Sequence, residues 1–574
     1  LSLTYQNSIK ILLLCFGLTP LFAGVCQAQS TYVPLNHWVY QFVERFEARG
    51  VIHGVLNGSR PFSRDEMTRY LRQIEKSAEQ GASLNSVEQE QFNFLKLEFS
   101  EEFSALTGLE SSHFVTRIER IKNSGFPGKI LPKFIYRNNR NMLNFSEEPF
   151  RLYIDPVFYQ QILSANSDSL TGAERVFERT HGFKMRGNLG SHIGFHFDFR
   201  DSKEWGSRSY PKQFDISLQG LGFVNGYGSH IWHDETNAYL MFKLPYMQLM
   251  LGKDWNYWGP GANGALGLSD NATSFDQIKL QSRVWRLKFT WLLGSLRTFP
   301  RIINADGKTN PKSMVAHRLE IDVAKWLDVG LYEMVVFGNR RFELAYINPI
   351  NFYRSAEHFV GDDDNASMGV DVEFLLIPNV KLYGELYVDD LSTSKSGNYF
   401  GNKTGLLVGG LWVDAFQLPN LNVRVEYART RPYLYTHRNA INTYTHFNTG
   451  LGHKIGPNAE LFTASLKYQF SRRLQIAASF ERFRHGANLV EQNINNGGDI
   501  TRPFTENDFE IARFLAGSLE SRRQLGFEVK YEVFRNFFFQ LQMNTSFFKN
   551  ALIANATRGN VNRNEVSVNI SLNH

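Results

Sequence analysis

The chain has 574 residues, a net charge of +6, 21% charged residues and 14% aromatic ones. Low charge with 48 Phe and 24 Tyr excludes a disordered chain, and at roughly 150 residues per domain a water-soluble protein of this length divides into three or four units. A mean hydropathy of −0.32 excludes a helical membrane protein, because the one long apolar run lies near the N-terminus.

That run reads as an export signal over residues 1–28. Lys10 precedes the apolar residues 11–22, small residues continue to Ala28, and Cys26-Gln27-Ala28 is the expected cleavage site. Cleavage removes Cys15 and Cys26, the only cysteines, so a mature chain of charge about +5 has neither disulfides nor Cys-bound metal. Lipidation of Cys26 is the rival reading, and Val25 before it fits that poorly.

Residues 31–106 read as a small helical domain. Trp38, Phe42, Val43 and Phe46 recur at helical spacing, with Gly50 as the stop. Ser63-Arg64-Asp65-Glu66 has the capping-box pattern and leads into Met67, Tyr70, Leu71 and Ile74 on one face. A third helix is predicted over 86–103, and 107–148 is a connector punctuated by Pro and Gly.

From about Phe150 the period changes to 2 and stays there. Val380, Leu382, Leu386 and Val388 alternate with Lys381, Tyr383, Glu385 and Tyr387; near the end Val566, Val568, Ile570 and Leu572 alternate with Glu565, Ser567, Asn569 and Ser571. Strands are predicted to begin near 150, 181, 190, 236, 245, 276, 283, 316, 327, 366, 379, 402, 419, 459, 472, 519, 535 and 562. Alternation alone also fits a soluble sandwich, but the loop lengths separate the two. Connections such as Pro378-Asn379 and Arg535-Asn536 are short, while 201–235, 253–275, 294–315, 339–365, 429–458 and 484–518 are long. Short turns at one rim and long loops at the other are the pattern of a bacterial outer-membrane barrel. The fold class predicted is therefore an all-β transmembrane barrel over 149–574. An even strand number places both barrel ends on the periplasmic side, beside the α-helical N-terminal domain.

Three stretches carry a family resemblance. Residues 252–280 contain Trp258-Gly259-Pro260-Gly261 and Leu268-Ser269-Asp270-Asn271-Ala272. Asn348-Pro349, Phe352-Tyr353, Gly361-Asp362-Asp363-Asp364-Asn365-Ala366 and Leu382-Tyr383-Gly384-Glu385-Leu386 form a second block, and Phe150 to Pro156 opens the barrel. Together they resemble the capsule-assembly Wzi family over about 140–574. The resemblance implies an 18-stranded barrel in the outer membrane of a Gram-negative bacterium, so the strand count above is not independent of it. It also implies a lectin that holds capsular or extracellular polysaccharide at the cell surface and assists capsule assembly, with outer-membrane lipids around it. Residues 33–71 resemble one S-layer homology repeat, with Phe62-Ser63-Arg64-Asp65-Glu66 at its motif. Such a segment either binds peptidoglycan or serves as a helical cap or plug.

Candidate polysaccharide-binding residues fall in two outer loops. Trp255, Tyr257 and Trp258 offer ring faces for sugar stacking, or pack the loop inward as a plug. Loop 429–458 carries Arg429, Arg431, Arg438 and Lys454, three histidines (His437, His446, His453) and no acidic residue, interleaved with Tyr433, Tyr435 and Tyr444. Arginine forks match the carboxylates of acidic sugars and tyrosines supply stacking; contact with lipopolysaccharide phosphate and folding into the lumen are the alternatives. Asp362 to Asn365 offers hard oxygens but lacks a calcium-loop spacing, so a polar turn is the plainer reading. No H-E-x-x-H or G-x-S-x-G occurs, and Asp389-Asp390 are adjacent strand-end residues that point to opposite faces. The expectation is a non-enzyme with no catalytic residues, cofactor, metal or nucleic-acid partner. A diffusion channel is the functional alternative, since barrels of 16–18 strands can leave a pore.

Overall fold

The computed structural model describes residues 31–107, 140–147, 149–167, 173–207, 225–227, 230–298, 310–392, 394–447, 449–552 and 558–573. The export signal predicted over 1–28 and most of the 107–148 connector lie outside them.

Among the described residues, 18 antiparallel strands close into one barrel. The first six are β1 (Phe150–Ser167), β2 (Ala173–Leu189), β3 (Ile193–Gly206), β4 (His230–Lys243), β5 (Met247–Asp254) and β6 (Phe275–Val284). Then follow β7 (Leu287–Leu296), β8 (Lys312–Ala324), β9 (Leu327–Gly338), β10 (Asn365–Ile377), β11 (Val380–Asp390) and β12 (Lys403–Val413). The last six are β13 (Leu421–Thr430), β14 (Ala459–Gln469), β15 (Leu474–Ala487), β16 (Ser518–Phe534), β17 (Phe537–Leu552) and β18 (Arg558–Leu572). β18 closes on β1, from Leu572 opposite Phe158 to Arg563 opposite Ser167. Predicted starts near 150, 327 and 459 coincide with β1, β9 and β14. The largest departures are β2 and β4, which begin 8 and 6 residues earlier than expected because adjacent apolar residues in their outer ends, Val176-Phe177 and Ile231-Trp232, interrupt the period of 2.

The alternation sorts the side chains as read. On β11, Lys381, Tyr383, Glu385 and Tyr387 are buried on the lumen side while Leu382 and Leu386 are exposed. On β17 and β18, Phe539, Met543, Phe547, Val566 and Ile570 face out, opposite the buried Ser546, Ser567 and Asn569. An outward apolar band on a closed barrel leaves no unpaired strand edge in hydrocarbon and meets lipid with side chains that need no hydrogen bonds. The short turns use left-handed asparagines, Asn379 (φ 64°) and Asn536 (φ 59°), a conformation that Asn tolerates. No described helix is long and apolar enough to cross a membrane.

The helical domain comprises α1 (Val39–Ala48), α2 (Arg64–Glu79), α3 (Ser86–Glu98) and α4 (Ser100–Thr107). The single helix predicted over 86–103 is two, broken at Phe99 (φ −106°, ψ 24°). Ser63 caps α2 by accepting from Glu66 N at 3.2 Å. The reciprocal half of that box is absent because the Glu66 carboxylate faces Arg283 of the barrel at 3.0 Å. The domain sits in the short-turn mouth, held by Asp65–Lys243 (2.9 Å), Glu44–Arg424 (2.5 Å) and Glu47–Lys381 (2.8 Å). At the opposite rim, loop 339–364 turns outward. Its helices α5 (Leu344–Ile347) and α6 (Tyr353–Val360) lie on the outer wall, where Tyr353 and Tyr346 pack with Trp291, Val315, Val335 and Phe337.

Candidate functional site

The long-loop rim is closed by loop 255–274, which turns into the lumen. Two lumen-facing carboxylates hold it. Glu385 of β11 accepts from Leu266 N (2.9 Å), Gly267 N (3.0 Å) and the Tyr332 hydroxyl (2.6 Å). Glu426 of β13 accepts from Ala262 N (2.7 Å), Asn263 N (3.0 Å) and the Tyr383 hydroxyl (2.9 Å). A carboxylate has acceptor capacity for several donors, so each one satisfies consecutive loop N–H groups that have no strand to pair with. The backbone approaches this closely through Gly259 (φ 141°), where a Cβ would stand 2.8 Å from Glu385 Oε2.

Loop 431–458 packs over it. Tyr435 donates to Leu266 O (2.7 Å), Tyr444 to Gly267 O (3.0 Å) and Tyr433 to Asn495 O (3.0 Å). The rings of Tyr435 and Tyr444 stack at 5.6 Å and 19°. These three tyrosines, with Tyr257 and Trp258, are buried, Tyr433, Tyr435, Tyr444 and Trp258 to 1% exposure each. The five rings therefore do not form the exposed stacking platform that sequence reasoning allowed. The four tyrosine hydroxyls satisfy loop carbonyls cut off from water, which makes these rings the packing of an outer plug. The two predicted sites are thus one body. Trp255 alone of the aromatic candidates is half-buried, on an internal cavity of about 360 Å³ beside Asp198 and Arg200. Burial pulls His446 and His453 down to about 3 and His437 to about 4, so the loop's positive charge comes from Arg and Lys.

The arginines lie at the surface. Arg429 is exposed, its guanidinium 3.9 Å from the Phe514 ring centre. Arg431 is half-buried and donates to Gly397 O, and Arg438 is exposed with Asp363 at 3.3 Å. An outer cavity of about 380 Å³ opens between Arg438, Lys403, Arg354, Asp390, Phe400 and Phe504. The Phe400 and Phe504 rings stack at 8°, with Tyr433 edge-on to both. Sequence reasoning missed Phe400, Lys403, Phe504 and Phe514. Phe400 and Lys403 lie where the connection after β11 enters β12, Phe504 and Phe514 lie in the long loop before β16, and nothing in linear spacing shows that these segments converge on 431–458. In the acidic run, Asp364 is turned inward to Arg340 (2.5 Å) and the Tyr346 hydroxyl (2.7 Å), as befits a turn after α6.

Inside the barrel the two plugs touch. Ser59-Arg60 of the helical domain pairs as a short antiparallel ladder with Tyr257-Trp258, and Gly259 N donates to Gly58 O at 2.8 Å. Arg60 lies over the Tyr257 ring at 4.2 Å. Gly58 is required at the tip, because a Cβ there would fall 1.8 Å from Arg318 Nη2. Protein thus runs from one rim to the other along β6–β14, around a core that includes Trp258, Leu266, Tyr332, Tyr387 and Leu407. The facing wall is polar, and a cavity of about 310 Å³ lies there beside Gln540, Lys530 and Asn573.

Residues 233–562 match the family model of the capsule assembly protein Wzi. No curated protein matches the sequence. Among solved structures, the chain is similar to Wzi of Escherichia coli, described as a carbohydrate-binding outer-membrane β-barrel involved in group 1 capsule assembly. That likeness has a TM-score of 0.54 and 14% identity over 95% of this chain and 100% of the other. Weaker likenesses include OccAB4 of Acinetobacter baumannii (TM-score 0.43, 10% identity, 73% of this chain and 97% of the other) and OccK5 of Pseudomonas aeruginosa (0.41, 10%, 73% and 98%).

Proposed function

The chain belongs to the capsule assembly protein Wzi family, and from that premise we propose that it holds an anionic capsular or extracellular polysaccharide at the outer face of its barrel. The barrel lies in the outer membrane of a Gram-negative cell. The observation that carries the reading is the double closure. With Ser59-Arg60 paired to Tyr257-Trp258 in the lumen, a long polymer meets the outer loops and not a free channel. At that surface Arg429, Arg431, Arg438 and Lys403 supply charge and hydrogen-bond donors suited to sugar carboxylates, and the Phe400–Phe504 pair supplies ring surface. The reading is one of binding, since the outer cavity brings the charged groups Arg438, Lys403 and Arg354 to one surface. Outer-membrane lipids bathe the apolar belt, and α1–α4 act as a plug; peptidoglycan contact through that domain is the reading a wall pull-down would favour.

The test is retention of labelled uronate- or pyruvate-bearing capsule by cells displaying the wild type or the Arg429→Gln/Arg431→Gln/Arg438→Gln variant. Retention falls in the variant and, for the wild type, as salt rises, because exposed charges are screened over about 8–10 Å. Equal retention by both at every salt concentration would remove the arginines from the binding surface.

A further inference from the structure

Where the helical plug meets the barrel wall, three carboxylates from three separate elements converge. They are Glu47 of α1, Asp328 of β9 and Glu373 of β10, and one oxygen of each lies within 4.8 Å of the others. Exposure is 0% for Glu47, 7% for Asp328 and 3% for Glu373. One cation stands beside them: Lys381 of β11, fully buried, reaches Glu47 Oε2 at 2.8 Å and Glu373 Oε2 at 2.7 Å. Among the described residues, Glu47 Oε1, Glu373 Oε1 and Asp328 Oδ1 accept no hydrogen bond. A buried carboxylate oxygen without a partner is costly, and here each of the three clustered residues carries one. When all three are ionised, the carboxylates against one ammonium leave two negative charges, which is the charge a divalent cation cancels.

We propose that Glu47, Asp328 and Glu373 bind a hard divalent cation, Ca²⁺ or Mg²⁺, that staples the helical plug to the barrel. All-oxygen donors suit these ions and not Zn²⁺ or Cu²⁺, which favour nitrogen and sulfur. Carboxylate oxygens up to 4.8 Å apart are within reach of a shared Ca²⁺, whose oxygen ligands stand about 2.3–2.6 Å away. Lys381 keeps its pairs through Oε2 of both glutamates, leaving Oε1 of each for the metal. Because Glu47 belongs to the plug and the other two residues to the wall, the ion bridges two bodies otherwise joined at this rim by side-chain pairs. The residues are 281 and 45 positions apart in sequence, so no linear metal motif announces them.

The experiment uses the full chain, purified in detergent free of lipopolysaccharide, stripped with EDTA and titrated calorimetrically with CaCl₂ and with MgCl₂. One saturable site is expected. Affinity should fall about ten- to a hundredfold in Glu47→Gln and in Asp328→Asn, and stay unchanged in Glu510→Gln, an exposed acid of an outer loop. Absence of saturable binding, or unchanged binding in both cluster variants, overturns the site. Should the variants not fold, the wild type still decides: its heat-modifiable barrel is expected to melt lower in EDTA and to recover with CaCl₂. Identical melting in both refutes the staple.

Discussion

The two plugs close the same lumen with different chemistry. The inner one, α1–α4, meets the wall through charged pairs: Asp65–Lys243, Glu66–Arg283, Glu44–Arg424 and Glu47–Lys381. The outer one meets it chiefly through backbone N–H groups on wall carboxylates, Glu385, Glu426 and Asp389, while tyrosine hydroxyls on carbonyls tie its two loops to each other. Ion pairs join two prefolded surfaces, and the helical domain has its own core around Val39, Phe46, Met67, Leu71 and Leu95. Loops 255–274 and 431–458 have no such separate core and take their fold from the wall. The inner plug is therefore a docked domain, and the outer plug is part of the barrel's own interior.

This difference predicts unequal responses. The largest is expected at Glu385. Replacing it with Ala leaves Leu266 N, Gly267 N and the Tyr332 hydroxyl without their acceptor, at a cost of about 3 kcal/mol or more. Heat-modifiable mobility on gels should shift to lower temperature, and loop 255–274 should become protease-sensitive while α1–α4 stay resistant. A variant that melts like the wild type would mean that the outer plug is not held by this carboxylate.

A change in the wall sets the scale for both plugs. Val568→Arg places a cation on the lipid face and should cost about 2–4 kcal/mol, against much less for Asn569→Arg on the lumen face. Asn569 is buried inside and its neighbours Val566 and Ile570 face out. Equal effects of the two changes on folding yield would contradict the register.

Acid should loosen the outer plug first. Burial depresses His446 and His453 to about 3, so the stability these groups contribute is complete above 6.5, the ordinary histidine value, and is lost as pH falls from there toward 3. At pH 5 each costs about 2 kcal/mol. The inner plug has one such histidine, His37, lowered by burial to about 4. Burial alone would raise Glu44, but Arg424 and Lys381 hold it down to about 2, so its contribution persists until pH drops below 4.5. Hydrogen exchange at pH 5 against pH 7.5 should therefore show greater loss of protection in 431–458 than in 39–48. The reverse order would contradict the assignment.

The smallest effect is that of salt. Partly exposed pairs such as Asp65–Lys243 contribute about 0–1 kcal/mol each and are screened. High salt should raise protease cleavage within 31–107 a few-fold and leave 255–274 unchanged. Equal cleavage of both would remove the distinction between a docked and an integral plug.

The wall was legible in the sequence because lipid on one side and a polar or packed lumen on the other impose a period of 2, as at Lys381 to Val388. The helical domain was legible through its caps, except for the break at Phe99, where apolar spacing continues through Phe103 and hides the change of direction. The candidate site was half legible. Arginines at 429, 431 and 438 lie at the surface as an unshielded charge must, but Tyr433, Tyr435, Tyr444, Tyr257 and Trp258 turned inward. An aromatic with a hydroxyl reads alike as a sugar platform and as a buried ring that caps a carbonyl. What decides is whether a partner carbonyl lies behind it, as Leu266 O does for Tyr435, and that depends on a loop 169 residues away. The outward fold of 339–364 against Trp291 was illegible for the same reason.

The central claim is that both plugs together shut the barrel, and ion conductance of the purified full-length chain in planar bilayers tests it most directly. The account predicts electrical silence from protein shown to be folded by heat-modifiable mobility, with current appearing in Glu385→Ala lacking residues 31–107. A steady open-pore current from the intact wild type would contradict it.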